Sequence, residues 1–194
     1  MTEGRAKFIN GLLAKAGVRE VTVSSNPILD ERRSYHPPRC DVFKSRYTIT
    51  SPDPDFRFSV DHEAERQLPD MVKNKLLRIE AIDSPDKNFT ENYSRKRTIG
   101  IVFSGGPAPG GHNVIAALFD AAKAANPDNR ILGFMMGPDG IIDNQVTELT
   151  RKRVNAYRNL GGFGMIKTGR TKIDTPEKMA LSRDTCKKLD LDAL

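Results

Sequence analysis

Four glycines and two prolines lie within the seven residues 105–111. Glycine has no Cβ, so the backbone of such a segment can approach an anion closely. An apolar run at 99–103 precedes it, and apolar residues follow at helical spacing, at positions 114, 115, 118, 119, 122 and 125. The free N–H groups and partial positive charge at a helix start favour phosphate. The stretch therefore predicts a phosphate-binding turn between a buried strand and a helix.

The spacing of these glycines excludes two common phosphate loops. No Gly-Lys-Ser/Thr follows, as a Walker A loop requires, and the glycines are not spaced as in the dinucleotide fingerprint. The alternative interpretation is a tight turn from strand to helix that binds no ligand.

The elements around the turn alternate between strands and helices. A second buried strand is predicted over 131–136, turn chemistry over 137–140, a basic helix over 149–157 and a brief strand over 165–166. Thr175 is suited to cap a helix that begins at Pro176, and a further strand opens within 189–194. This order predicts an α/β fold, a Rossmann-like parallel sheet with flanking helices. Ligands bind beyond the carboxyl ends of such strands, which is where residues 105–111 lie.

Residues 1–97 are less regular, and we expect a mixed N-terminal extension that wraps the α/β domain or contacts a partner subunit. The alternative is a separate small domain. The patterns predict a helix over 5–16, strands over 18–23, 47–49 and 56–60, irregular structure through most of 26–55, an apolar segment at 76–82 and a polar linker over 84–97.

The net charge of +6 comes from 31 basic and 25 acidic residues that are interleaved along the chain. This distribution indicates a solvated surface, and we expect neither a nucleic-acid partner nor a membrane, since no apolar run approaches membrane-spanning length. The two cysteines, Cys40 and Cys186, lie far apart, and residues 1–5 lack the start of a secretion signal. We therefore expect a reducing, cytoplasmic location without disulfides.

The segment Ser-Gly-Gly-Pro-Ala-Pro-Gly-Gly-His-Asn at 104–113 closely resembles the phosphate loop of the phosphofructokinases, most of all the long pyrophosphate-dependent type. Residues 157–163 and 168–173 are similar to that family's second phosphate-contacting turn. Residues 186–194 are similar to the helix and strand that lead to its metal-binding loop. The resemblance spans 98–194 and implies the first part of the phosphofructokinase α/β domain.

This resemblance implies a glycolytic phosphotransferase that converts pyrophosphate and fructose 6-phosphate to fructose 1,6-bisphosphate and phosphate with Mg²⁺, acting as a homodimer or higher oligomer. Arg170 is the best candidate cation, because its planar fork can hold phosphate oxygens bidentately. His112 and Asn113 are expected to support the loop. The predicted diphosphate-binding residues are Gly105, Gly106, Gly110, Gly111, Arg170, Thr171 and Lys172. An ATP-dependent 6-phosphofructokinase and a non-catalytic regulatory subunit of the same fold are the alternatives.

The family's Gly-Gly-Asp-Asp metal loop and Thr-Ile-Asp-x-Asp catalytic segment do not occur in the 194 residues. We therefore expect no catalytic residue and no metal ligand within this chain, both being expected after Leu194. On this interpretation the chain is the N-terminal part of a longer enzyme and is inactive alone.

Overall fold

The computed structural model describes residues 26–56 and 60–194, which fall into two compact units. One unit contains the described residues up to Tyr35 together with Lys96–Leu194, and the other is His36–Arg95. The predicted boundary at 97/98 lies two residues beyond the end of the second unit, and the role of the extension stays a prediction. The helix predicted over 5–16, the strand over 18–23 and the centre of the strand over 56–60 lie outside the described residues.

The first described helix, α1 (Pro27–Ser34), belongs to the same unit as the glycine-rich stretch. Asn26 precedes it and accepts a hydrogen bond from the backbone N–H of Ile28 with its side-chain oxygen, while proline occupies the first helical position. Irregular structure was the prediction for this region, and it is wrong here because the cap and proline outweigh the low apolar content.

The unit His36–Arg95 contains a 3₁₀ helix (Asp41–Lys44), β1 (Tyr47–Pro52), α2 (His62–Gln67), α3 (Pro69–Lys73), β2 (Leu77–Ile82) and α4 (Lys87–Ser94). β1 and β2 pair antiparallel, with Tyr47 opposite Ile82 and Pro52 opposite Leu77. The strand predicted over 47–49 is confirmed and runs further than predicted. None of the residues in these helices and strands is buried.

Helix α4 corrects the polar linker predicted over 84–97. Asp86 caps it, accepting a 2.7 Å hydrogen bond from the backbone N–H of Phe89. The rings of Tyr47, Phe89 and Tyr93 then pack together, with centroids 5.0–6.3 Å apart. A short helix with two aromatic residues is fixed by these contacts rather than by a long apolar stripe.

The unit that contains α1 continues with β3 (Thr98–Ile101), α5 (Gly111–Ala125), β4 (Arg130–Phe134), α6 (Pro138–Ile142), β5 (Val146–Glu148), α7 (Arg151–Tyr157) and α8 (Pro176–Lys188). β3 and β4 are parallel, with Ile99 opposite Ile131. Ala193 makes a parallel bridge to Ile99 on the other side of β3. The α/β fold, with its parallel pair and flanking helices, is therefore confirmed.

The edge strand β5 pairs antiparallel with β4, which makes the sheet mixed and was not predicted. Residues 189–194 contribute a bridge rather than a full strand. Residues 165–166 form a turn instead of a strand: both are buried, but the Met165 N–H donates to a histidine ring instead of a strand partner.

The hydrophobic core lies between the sheet and helices α5 and α7. It is built from aliphatic and aromatic side chains; the fully buried members include Ile115, Phe119, Ile131, Leu149, Val154, Met165 and Ile166. The predicted helix starts are confirmed at α8, where Thr175 Oγ1 accepts from the N–H of Lys178 at 3.3 Å. In the described part of the chain no helix has the length and apolarity needed to cross a bilayer.

Candidate functional site

The glycine-rich loop follows β3 at its carboxyl end and leads directly into α5, as the sequence predicts. Gly105 (φ +103°) and Gly110 (φ +91°) adopt left-handed conformations that side chains rarely take. Gly110 is the N-cap residue of α5, and no side chain caps that helix end. The start of α5 thus lies beside the loop, and its Gly111 N–H makes no backbone hydrogen bond in the described residues, so this amide is available to an anion.

A second segment, residues 168–170, lies against the loop through its backbone. The N–H of Gly105 donates to the carbonyl of Gly169 at 2.8 Å, and Ser104 and Gly169 form a parallel bridge. The hydroxyl of Thr168 lies 3.0 Å from the carbonyl oxygen of Phe103 and 2.9 Å from that of Gly105. These bonds place the residue after Gly169 next to the glycine loop.

Arg170 therefore lies at the loop, as predicted. A Cβ built on Gly106 would be 3.1 Å from Arg170 Nη2, so the guanidinium rests against the backbone of Gly106. Arg170 is exposed and makes no hydrogen bond or ion pair within residues 26–56 and 60–194. Its charge is available to a ligand at the loop.

Backbone also packs on backbone beneath the loop. Gly137 has φ +73°, and a Cβ there would overlap the amide nitrogen of Gly169 and lie 2.7 Å from the carbonyl oxygen of Phe103. A Cβ on Gly169 would overlap the carbonyl oxygen of Met136. Three chain segments meet at this point with no side chain between them.

His112 joins the two glycine-rich segments. Its backbone N–H donates to the carbonyl of Gly162 at 2.8 Å, and its Nε2 accepts from the N–H of Met165 at 3.1 Å. Its ring packs edge-on against Tyr157, with centroids 4.9 Å apart. The side chain is 5% exposed, and this burial lowers the pKa of His112 below its ordinary value of 6.5.

These contacts determine which nitrogen of the imidazole carries the proton. An Nε2 that accepts a hydrogen bond carries no proton, so the neutral ring has its proton on Nδ1. Nδ1 is buried and has no hydrogen-bond partner among the described residues. Such a ring is suited to hold two loops together rather than to exchange protons with a substrate.

Asn113, the other predicted supporting residue, accepts a 3.0 Å hydrogen bond from the backbone N–H of Asn159 with its Oδ1. Asn159 lies two residues after the end of α7 and two before Gly161, whose carbonyl accepts from the N–H of Gly110 at 3.4 Å. His112 and Asn113 thus both connect the start of α5 to the turn at 159–165.

Thr171 and Lys172 are placed less directly. Thr171 is half-buried and Lys172 is exposed, and neither side chain makes a hydrogen bond or ion pair in the described part of the chain. The backbone carbonyl of Lys172 accepts from Lys178 Nζ at 3.0 Å. Their predicted role in diphosphate binding stays a prediction.

A cleft of about 510 Å³ opens beside the loop. Apolar side chains of Phe103, Val114 and Phe163 form one part of it, and loop backbone forms another. The lining includes Gly106, Gly110, Gly111, Ser104, Ala108, Pro109 and Thr168, while Gly105, Arg170, Thr171 and Lys172 are outside it. Arg170 borders the cleft through its contact with Gly106.

Metal-binding side chains are sparse here. Within the described ranges no group of three or more His, Cys, Asp or Glu residues could hold a metal ion. One carboxylate approaches the site: a Cβ on Gly169 would lie 3.6 Å from Asp139 Oδ2. The described residues therefore do not fit a metal site built by this chain.

Three residues that position the site were not identified as such from the sequence. Thr168 and Asn159 act through bonds to backbone groups far along the chain, which spacing does not reveal. Gly137 lies in a Gly-Pro-Asp-Gly stretch that predicts a turn. A turn by itself explains the glycine, so this pattern was no reason to expect its close contact with Gly169. A glycine followed by proline just after a buried strand was the available signal for such a contact.

Comparisons of the sequence with a family model and with individual proteins all match phosphofructokinase-type proteins. The family model described as Phosphofructokinase matches residues 98–194. Pyrophosphate–fructose 6-phosphate 1-phosphotransferase of Porphyromonas gingivalis is 53% identical over 96 residues, covering 50% of this chain and 18% of that protein. Pyrophosphate–fructose 6-phosphate 1-phosphotransferase subunit beta 2 of Arabidopsis thaliana is 38% identical over 157 residues, covering 81% of this chain and 27% of that protein. The chain thus spans less than a third of the length of these relatives.

Among solved structures, the chain is similar to phosphofructokinase from Saccharomyces cerevisiae, with a TM-score of 0.43 and 24% identity. That similarity covers 55% of this chain and 14% of the yeast chain.

Proposed function

Because this chain belongs to the phosphofructokinase family, we propose that it carries the donor-phosphate site of a pyrophosphate-dependent phosphotransferase. The reaction transfers a phosphoryl group from pyrophosphate to fructose 6-phosphate, which gives fructose 1,6-bisphosphate and phosphate. The names of the similar proteins support the choice of pyrophosphate and fructose 6-phosphate as substrates.

The observation that carries this proposal is the contact of Arg170 with Gly106. A guanidinium that makes no hydrogen bond or ion pair in the described residues lies beside backbone without a Cβ, in the loop that leads into α5. Phosphoryl transfer depends on positioning and on stabilising negative charge, and these are the contributions such an arrangement makes.

In this mechanism the chain's own groups act on the donor. The backbone N–H groups of Gly106, Ala108 and Gly111, which make no backbone hydrogen bond in the described part of the chain, bind oxygens of one phosphate, and the dipole of α5 favours its charge. The Arg170 fork holds oxygens of the same donor bidentately as charge builds up on the leaving phosphate. Thr168 keeps the loop in place by bonding its carbonyls.

Mg²⁺ is part of the proposal as a companion of pyrophosphate, whose charge it would neutralise. Since the described residues do not supply a metal site, we derive no step through the ion. We further propose that the protein works as a homodimer or higher oligomer in the cytoplasm. The sequence contains only two cysteines, Cys40 and Cys186, far apart along the chain, which supports a reducing location. Sedimentation velocity would measure the assembly.

The experiment is calorimetric titration of the chain with pyrophosphate and, separately, with ATP. We expect pyrophosphate to bind and Arg170→Ala to weaken it by about tenfold or more, because a charge-assisted bidentate contact contributes about 1.5–3 kcal/mol. Arg170→Lys should recover only part of the loss, since an ammonium cannot reproduce the planar fork.

Arg183→Ala is the matched control, because Arg183 is an exposed arginine on α8 whose ion pair is with Asp184. It should bind pyrophosphate as the unmodified chain does. Tighter binding of ATP than of pyrophosphate would favour an ATP-dependent enzyme, and an Arg170→Ala variant with unchanged affinity would remove Arg170 from the donor site.

A further inference from the structure

Asn159 links the glycine turns to a helix outside the donor site. Its backbone is left-handed, with φ +58°, a conformation in which asparagine is enriched. Its Nδ2 donates to the carbonyl oxygen of Arg32 at 2.9 Å and to that of Tyr35 at 2.8 Å. Arg32 lies in the last turn of α1 and Tyr35 is its C-cap residue. Asn159 therefore binds the C-terminal end of α1, where the Arg32 carbonyl also accepts the N–H of Tyr35 at 3.2 Å.

The same residue reaches the start of α5. Its backbone N–H donates to Asn113 Oδ1 at 3.0 Å. Asn113 follows His112, whose N–H bonds the carbonyl of Gly162. The turn that begins at Asn159 is thus tied to the first turn of α5 on both sides of the glycine pair at 161–162.

Helix α1 depends on such bonds for its position. It contains no buried residue, so apolar burial contributes little to its docking. Besides the two bonds from Asn159, Arg33 Nε donates to the carbonyl oxygen of Ala156 in α7 at 3.2 Å. Docking of α1 is therefore mainly polar, and both of the amide hydrogens of Asn159 take part in it.

We propose that Asn159 is a positioning residue that couples the docking of α1 to the geometry of the donor-phosphate loop; this rests on the proposed function. With α1 docked, the Asn159 side chain is held at two points, and its left-handed backbone directs the N–H toward Asn113. When α1 is released, the side chain loses both acceptors and the turn at 161–162 loosens. The α5 amides then lose their alignment, and affinity for pyrophosphate falls although Asn159 does not touch the ligand.

The test compares Asn159→Gly with Asn144→Gly. Glycine keeps the left-handed backbone and its N–H but removes the amide that binds α1. Asn144 is also left-handed, with φ +50°, and its side-chain oxygen has no partner in the described residues, so it controls for the chemistry of the substitution. We expect Asn159→Gly to weaken pyrophosphate binding about three- to tenfold and Asn144→Gly to change it less than twofold.

Two further readouts separate coupling from general destabilisation. In ¹H–¹⁵N spectra of the ligand-free chain, Asn159→Gly should shift the amides of Gly110 and Gly111, while Asn144→Gly leaves them in place. Hydrogen exchange should rise across α1 in Asn159→Gly. If exchange rises at α1 while the loop amides and the affinity for pyrophosphate stay unchanged, the proposal is wrong.

Should Asn159→Gly not fold, Asn159→Asp gives the same measurements, because aspartate keeps the size and removes both donors. If the unmodified chain binds no pyrophosphate, the proposed function fails. The shifts of the loop amides then still decide whether α1 and the loop are coupled.

Discussion

Gly106 is the residue at which the glycine-rich loop contacts the Arg170 guanidinium. In Gly106→Val the Cβ would lie 3.1 Å from Arg170 Nη2, on the face of the backbone that a phosphate must approach. Because the contacted atom is the end of a flexible side chain, we expect the fold to tolerate the change while affinity for pyrophosphate drops about tenfold or more. Calorimetry gives the affinity and urea unfolding gives the stability.

Gly164→Val is the control for this substitution, since a Cβ there meets no atom within 4 Å. It should bind pyrophosphate like the unmodified chain. Normal pyrophosphate affinity in Gly106→Val would show that the donor does not approach at this residue.

His112 gives a prediction for pH. Burial lowers its pKa in the folded chain, so on acidification the unfolded chain takes up a proton first. The free energy of unfolding should therefore be unaffected by His112 well above pH 6.5 and should fall as pH drops from about 6.5 toward the lowered pKa. Below that pKa both states are protonated and this contribution stops changing.

Comparing the chain with His112→Gln isolates this effect. The glutamine oxygen can accept from the Met165 N–H but does not titrate. Urea unfolding at pH 7.5 and 5.5 should show a smaller loss of stability for the variant. Equal losses in both proteins would mean that His112 does not titrate differently on folding.

At this scale the sequence predicted that Arg170 lies near the glycine-rich loop, and much less of what holds the two together; that these residues bind phosphate stays a prediction. The glycine spacing and the Gly-Arg pair at 169–170 are local patterns, so they can be recognised from the sequence alone. The bonds from Thr168 to Phe103 and from Asn159 to Arg32 join residues 65 and 127 positions apart, and only the folded chain brings them together.

Among the elements, β4 depends on a glycine that faces the core. A Cβ on Gly133 would overlap the buried Cγ2 of Ile166 and lie 3.3 Å from a methyl carbon of Leu149. Gly133→Ala should therefore lower the free energy of unfolding by about 1–3 kcal/mol, the usual cost of overpacking a core. Gly164→Ala, which has open space, should change it by less than about 0.5 kcal/mol; urea unfolding measures both.

If the two alanine variants prove equally stable, the strand and the turn at 165–166 can separate without cost, and the packing described here is wrong.

The position of this turn also explains why the strand predicted over 165–166 does not form. Met165 and Ile166 are as apolar as a strand, but the turn places Ile166 against Gly133 while the Met165 N–H bonds His112.

Elements with long apolar patterns, such as α5 and β4, could be predicted because burial determines them. Helix α4 and strand β5 could not: α4 is fixed by the Asp86 cap and ring packing, and β5 by three pairs with β4 that include Gly133 opposite Thr147. Such short elements take their structure from tertiary partners.

On the scale of the whole molecule, the two units differ in how they are held together. The helices and strands of His36–Arg95 contain no buried residue, whereas β4 has four consecutive buried residues. Local opening requires little loss of apolar burial in the first case and much in the second. In hydrogen-exchange mass spectrometry we expect amides of β1 and β2 to exchange faster than those of β3 and β4.

A peptide-resolved exchange series at one pH would check this, with α8 as an internal reference because its termini are capped. Slower exchange in β1 than in β4 would contradict the expected order. The division into units followed only in part from the sequence, because α1 lies early in the chain but joins the α/β unit through Asn159 and Ala156.

The meeting of Gly137, Gly169 and Phe103 has a consequence for how this protein can diverge. Since backbone atoms alone form that contact, no rotamer change at a neighbour can compensate for a Cβ, and the two glycines are fixed independently of the surrounding sequence. Side chains around the cleft, such as Val114 and Phe163, are free of that constraint. Substitutions among the side chains that line the cleft could therefore change which phosphate donor binds, while the backbone contact of Gly137, Gly169 and Phe103 stays the same.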